Sequence, residues 1–221
     1  MITVHHLNNS RSQRVLWLLE ELEVPYEIVR YQRLPSILAP PELKKIHPLG
    51  KSPVITDGDK TIAESGAILQ YLVETYGNGR LAPPQGTPEW RRYVYWMHYA
   101  EGSAMPLLYQ KLLFNLVPRR GPWYARPLLR PIFARMQATL VDPQLEQHIA
   151  FWESELGKSE WFAGDGLTAA DIQMSYPVEA AEARAGLDAR YPKATAWLAR
   201  IRARPEYKAA IEKGGPFVMG K

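Results

Sequence analysis

The sequence predicts an α/β domain of about eighty residues followed by an all-helical domain. Three observations carry this. Residues 2–31 read strand, helix, strand. Asp57-Gly58-Asp59 lies between two short β-like runs. No convincing strand follows the stretch rich in Gly and Pro that ends at residue 88.

Ile2, Val4 and Leu7 with β-branched Thr3 favour a strand over 2–7. A helix begins near Ser10, where Val15, Leu18, Leu19 and Leu22 fall at i, i+3, i+4 and i+7. Pro25 prevents its continuation. Tyr26–Tyr31 alternates and reads as a second strand, and the intervening helix makes the pair parallel. Residues 34–50 are irregular, with a short helix at 42–46. Val54-Ile55-Thr56 and Lys60-Thr61-Ile62-Ala63 flank Asp57-Gly58-Asp59, a hairpin signal. Glu64-Ser65-Gly66 leads into a helix with Ile68, Tyr71 and Leu72 on one face, ended by Gly77 and Gly79. The first domain is therefore βαβ then ββα.

Residues 77–88 are a linker by composition. The division is residues 1–78, a linker at 79–88, and a helical domain at 89–221. A long aromatic-rich helix is expected over 89–116, and a stretch at 117–131 broken by Pro118, Gly121, Pro122, Pro127 and Pro131. A helix over 132–156 follows, bent at Pro143. Thr168-Ala169-Ala170-Asp171 is a variant of the capping box, and its helix runs to about Ala185 through Pro177. Helices at 192–203 and 205–213 finish the chain, with Pro192 and Pro205 in first turns and Gly214-Gly215 as the stop.

Composition narrows the chemistry. The chain has no cysteine, which excludes disulfides, thiolate metal sites and a nucleophilic cysteine of its own. A disulfide oxidoreductase working through its own cysteine is excluded with them. No run of eighteen apolar residues suggests a membrane span. Met1-Ile-Thr-Val-His-His reads as a strand rather than a secretion signal, so a cytoplasmic location is expected. The net charge is +4, and residues 1–80 are balanced. Arg119, Arg120, Arg126, Arg130 and Arg135 lie within 117–135 without an acid. This reads as a solvated basic loop or a device for steering an anion, not a nucleic-acid footprint. His5, His6 and His98 have no convincing metal partners in sequence.

Three stretches carry candidate chemistry. Asn8-Asn9-Ser10-Arg11-Ser12 lies where the first strand enters the first helix. A helix N-terminus favours an anion, and a serine hydroxyl there suits a thiolate brought by a ligand. By residue type alone, Ser10 also suits a plain N-cap. In Leu49-Gly50-Lys51-Ser52-Pro53-Val54, a cis Pro53 would present the Ser52 backbone to an extended peptide ligand, while a trans proline would simply head the strand. Glu64-Ser65 opens a helix and suits an amino-acid head group, or again a cap. Trp96, His98, Tyr99, Met105, Leu108 and Tyr109, with Phe217 near the end, suit an apolar pocket and equally a bundle core.

The order and context of these stretches resemble cytosolic glutathione transferases over nearly the whole chain. The resembling motifs are Asn9-Ser10-Arg11-Ser12-Gln13-Arg14-Val15, His47-Pro48-Leu49-Gly50-Lys51-Ser52-Pro53-Val54, Glu64-Ser65-Gly66-Ala67-Ile68 and Thr168-Ala169-Ala170-Asp171-Ile172. Tyr99-Ala100-Glu101-Gly102-Ser103 is similar to a bacterial and fungal branch. The resemblance implies a thioredoxin-like first domain. It implies that Ser10 activates the glutathione sulfur, as in serine-type members, with Asn9 as the other candidate. Ser52 before a cis Pro53 would pair with the cysteinyl part. Glu64 and Ser65 would hold the γ-glutamyl end, and Lys51 and Arg11 would lie near the glycyl carboxylate. Tyr99, Met105 and Tyr109 are the electrophile-site candidates. Thr168 and Asp171 would serve folding. The implied activity is conjugation of the glutathione thiolate to an apolar electrophile, with a non-enzymatic glutathione-binding carrier or scaffold of the same fold as the alternative. Glutathione is then a co-substrate, with no metal or bound cofactor. The other partners are a hydrophobic electrophile and a second copy of the chain, with neither nucleic acid nor membrane. Departures are the absent tyrosine of tyrosine-type classes, the long segment at 117–135, and His47 where asparagine is frequent.

Overall fold

The computed structural model describes residues 1–36 and 38–216. β1 (Ile2–Leu7), α1 (Ser12–Leu22) and β2 (Tyr26–Tyr31) form the parallel βαβ unit, in register from Ile2 opposite Tyr26 to Leu7 opposite Tyr31. A single 3₁₀ turn spans Pro41–Lys45. β3 (Val54–Asp57) runs antiparallel to β1, and the hairpin returns as β4 (Lys60–Ala63). The sheet order is β2-β1-β3-β4, and α2 (Ser65–Tyr76) follows. This is the thioredoxin-like α/β arrangement. The candidate motifs of the first domain therefore lie where strand β1 ends, where β3 begins and where β4 ends.

The rest of the described chain is helical. α3 (Pro88–Tyr99) is capped by Thr87, whose hydroxyl accepts from Trp90 N–H at 3.1 Å. It passes through a π-helical turn, Ala100–Ala104, into α4 (Met105–Arg120). α5 (Arg126–Met136) leads through a second π turn, Gln137–Val141, into α6 (Asp142–Leu156). α7 (Ala169–Arg184), α8 (Pro192–Ala203) and α9 (Pro205–Gly214) complete the bundle.

Three sequence expectations shift. The first helix starts at Ser12, because Ser10 and Arg11 form the turn into it. The long helix continues past 116 to Arg120, with Pro118 buried inside it. The next helix starts at Arg126 rather than 132, and its irregularity is the π turn at 137–141. Pro143 instead occupies the first turn of α6, where its missing N–H costs nothing. Packing of α5 on α4, with Phe114 and Phe133 edge to face at 5.4 Å, outweighs the prolines.

α1 is the centre of the molecule. Every residue from Ser12 to Leu19 is buried, because α1 is packed by α2, α7 and α9 as well as by β1. A helix enclosed this way is expected to be apolar all round. The buried polar side chains of Ser12, Gln13 and Arg14 are therefore informative, since each needs a partner.

Candidate functional site

The chain leaves β1 through Asn8 and turns at Asn9, whose φ of +50° is in the left-handed region that asparagine tolerates. That turn brings Ser10 beneath the start of α1. Ser10 is 3% exposed, and its Oγ accepts from the Ser12 N–H at 3.2 Å. It lies 2.7 Å from Ser12 Oγ and 3.4 Å from Ser52 Oγ. Ser12 Oγ in turn lies 2.9 Å from His6 Nδ1. Burial, with nearby Arg30, pushes His6 down to about 4 against an opposing hydrogen bond to the Gly214 backbone. At neutral pH the ring is therefore uncharged. A chain of hydroxyls thus joins a neutral imidazole to Ser10 and on to Ser52, whose O–H also reaches the His5 carbonyl at 3.1 Å.

Ser52 opens onto a cleft of about 240 Å³. Its bond to Pro53 is cis. Arg11, Lys51, Ser52, Pro53, Glu64 and Ser65 all line this cleft, so six residues singled out from three separate motifs meet in one place. Ser10 stands just behind, within reach of Ser52 Oγ.

Glu64 precedes the first turn of α2 with φ +71° and ψ +123°, a conformation rare for any residue but glycine. Ser65 is buried, and its Oγ accepts from Arg14 Nη1 and from Gln173 Nε2, both at 3.3 Å. With both lone pairs engaged, the Ser65 hydroxyl keeps its proton as a donor. A donor at a helix N-terminus beside a free carboxylate is suited to an amino-acid head group, the amine on Glu64 and the acid on Ser65.

Glu101, to which no sequence motif gives a role, lines the same cleft from the first π turn. Its carboxylate accepts from Arg11 Nε at 2.8 and 3.0 Å and from Arg14 Nη1 at 2.6 Å. Burial opposes its charge, but Arg14 and Arg11 together hold its carboxyl below the usual range. Arg11 is therefore already engaged by an acid of the helical domain, and both guanidinium groups lie 5.0 Å from the Tyr176 ring. The only sequence clue was the Tyr99–Ser103 stretch. His47 and Leu49 also line the cleft.

The remaining candidates sit elsewhere. Tyr99 is buried, bonds His148 Nδ1 and accepts from Trp152 Nε1 at 3.1 Å. Met105 is buried in the same core, while Tyr109 is half exposed on α4. None of the three lines this cleft. Phe217 lies outside the described residues. Thr168 and Asp171 form the capping box of α7. The Asp171 carboxylate accepts from Thr168 N–H and O–H, both at 3.0 Å, and from Phe162 N–H at 2.9 Å. Complete burial still pushes it up to about 6. Among the described residues no group of three or more His, Cys, Asp or Glu is placed to hold a metal ion, and no helix is long and apolar enough to cross a membrane.

A thioredoxin-like domain with this cleft, closed by a helical domain, defines the class of two-domain glutathione transferases. The sequence models of the glutathione S-transferase N-terminal and C-terminal domains match residues 1–74 and 122–200. Glutathione S-transferase 3 of Schizosaccharomyces pombe is 36% identical, over 96% of this chain and 88% of that protein. Glutathione S-transferase 1 of Saccharomyces cerevisiae is 35% identical, over 96% and 95%. The crystal structure of a glutathione S-transferase from Actinobacillus pleuropneumoniae superimposes with a TM-score of 0.79 at 32% identity, covering 99% of this chain and 95% of that one. The chain belongs to the glutathione S-transferase family.

Proposed function

We propose that this protein binds glutathione in the cleft beside Ser52, ionises its thiol against Ser10, and transfers the sulfur to an apolar electrophile. The observation that supports this most is the convergence of Lys51, Ser52, Glu64 and Ser65 on one cleft with Ser10 Oγ 3.4 Å from Ser52 Oγ. In this reading the γ-glutamyl head lies on Glu64 and Ser65, and the cysteinyl part pairs with the Ser52 backbone. The glycyl carboxylate lies toward Lys51, with Arg11 adding positive potential. The sulfur then faces Ser10. The thiol proton leaves to solvent, the thiolate forms a carbon–sulfur bond, and the electrophile loses its leaving group or takes a proton across a former double bond. The protein contributes thiolate stabilisation and the juxtaposition of two reactants.

The electrophile lies between this cleft and the helical domain, on the side of Tyr109, and the segment at 117–135 borders its entrance. Tyr99 and Met105 shape that side from within the core. The protein acts in the cytosol as a homodimer.

The test is formation of a glutathione conjugate over a panel of aryl halides and activated alkenes. At least one class should be turned over at a rate well above the uncatalysed reaction. Tight glutathione binding with no turnover on any class would instead support a carrier.

A further inference from the structure

The segment after Glu101 carries a surface that its place at the entrance to the electrophile site does not account for. From residue 102 to residue 141 there is no acidic side chain, while Lys111, Arg119, Arg120, Arg126, Arg130 and Arg135 supply six cations. Lys111 is neutralised by Asp142 at 2.7 Å. Of the five arginines, Arg119, Arg120, Arg130 and Arg135 are exposed. α5 has no buried residue, although it packs on α4 along one side. Its other side is open and carries apolar side chains beside Arg130 and Arg135. Leu128 is 67% exposed, and Ile132, one turn on, is 46% exposed. Tyr124, one turn before, and Trp123 are 71% and 80% exposed. Leu140, within the second π turn, extends the stripe.

We propose that this face, the loop at 121–125 with the outer side of α5, docks on an anionic phospholipid surface. The arrangement is that of an interfacial helix: aliphatic side chains along one face, aromatics at the end, and cations flanking them. Eleven residues of helix span about 16 Å, too short to cross a bilayer, so the contact lies in the headgroup region.

Charge decides between occupants. A second copy presenting the same face would set its arginines against these with no acid to pair them. A single-stranded nucleic acid would use the arginines and the two aromatic rings but not Leu128, Ile132 and Leu140. An anionic bilayer complements all of them: lipid phosphates for the arginines, acyl chains for the aliphatic stripe, and the interface for Trp123 and Tyr124. The proposal is independent of the catalytic reading, and its test does not depend on activity.

The experiment is co-sedimentation of the full chain with phosphatidylglycerol–phosphatidylcholine vesicles and with phosphatidylcholine vesicles. Two variants accompany it, Leu128→Ser with Ile132→Ser, and Arg130→Glu with Arg135→Glu. Circular dichroism and glutathione affinity verify that each is folded. The parent should favour the anionic vesicles by roughly tenfold or more, lose that preference in high salt, and bind roughly tenfold more weakly in either variant. Absence of vesicle binding by the parent overturns the proposal. So does binding that both folded variants retain. A parent that ignores vesicles but loses a dimeric mass by light scattering in the Leu128→Ser, Ile132→Ser variant would show the face to be a self-interface.

Discussion

Glu64 is held in a backbone conformation that a residue with a Cβ rarely adopts, with φ +71° and ψ +123°. Such a conformation costs on the order of 1–3 kcal/mol and persists where the surroundings fix it, often at binding sites. Here β4 ends at Ala63 and α2 starts at Ser65, so a single residue makes the corner that turns the Glu64 carboxylate into the cleft. Glu64→Gly should relieve the corner while removing the carboxylate. Strain relief exceeds the extra chain entropy of glycine, so stability should rise by about 1 kcal/mol. Glutathione should bind at least about tenfold more weakly, as expected for loss of a charge-assisted contact. Thermal melts and calorimetry on the same sample check both. A variant that is less stable, or that binds glutathione as the parent does, would contradict the role given to this residue. The Glu64-Ser65 pair was legible from sequence as a site candidate. The corner was not, because nothing in residue type marks a positive φ at a glutamate.

At the scale of elements, the π turn at Ala100–Ala104 matters most. A π turn widens the helix and commonly occurs at functional positions. Here it joins α3 to α4 and carries Glu101, the acid that engages Arg11 and Arg14 on α1. Arg14 Nη1 also reaches Ser65 on α2 and Gln173 on α7, so one buried guanidinium ties four elements together. Removing one partner of a buried pair strands the other charge, which costs about 3–5 kcal/mol when both are enclosed. Glu101 is one-third exposed and glutamine keeps an acceptor, so Glu101→Gln should cost about 2 kcal/mol. A denaturant-midpoint comparison reads it, and a change below about 0.5 kcal/mol would remove Glu101 from this account. The strands, the hairpin and the cap at Thr168 were legible because periodicity and turn chemistry are local. Both π turns were hidden, since they add a residue to a turn without changing which residue types appear. The prolines of 117–131 misled because α4 and α5 support each other across the hairpin.

At the scale of the whole molecule, α1 is the seam between the two halves. One continuous apolar core runs from Ile55 and Leu69 through Leu16 and Trp17 to Trp96, Trp152 and Trp197. The site inherits that design. Ser10, Ser52 and Ser65 come from the first domain, while Glu101 and Gln173 approach from the helical one. The first set could be read from motifs, because each lies at a strand end or helix start. The second could not, because the contacts that matter join residues 87 or more apart in sequence, as in Arg14 with Glu101. Under the proposed function, the whole arrangement lowers the thiol pKa of bound glutathione. A thiol free in water titrates near 8.5, and a donor beside a helix N-terminus stabilises its anion. The most direct test is the ultraviolet thiolate absorbance of bound glutathione as a function of pH, in the parent and in Ser10→Ala, with binding confirmed by calorimetry. The account predicts that the parent's thiol titrates near about 7 and that Ser10→Ala returns it toward about 8.5 with affinity nearly unchanged. A bound thiol that titrates at the same pH in both proteins would contradict it.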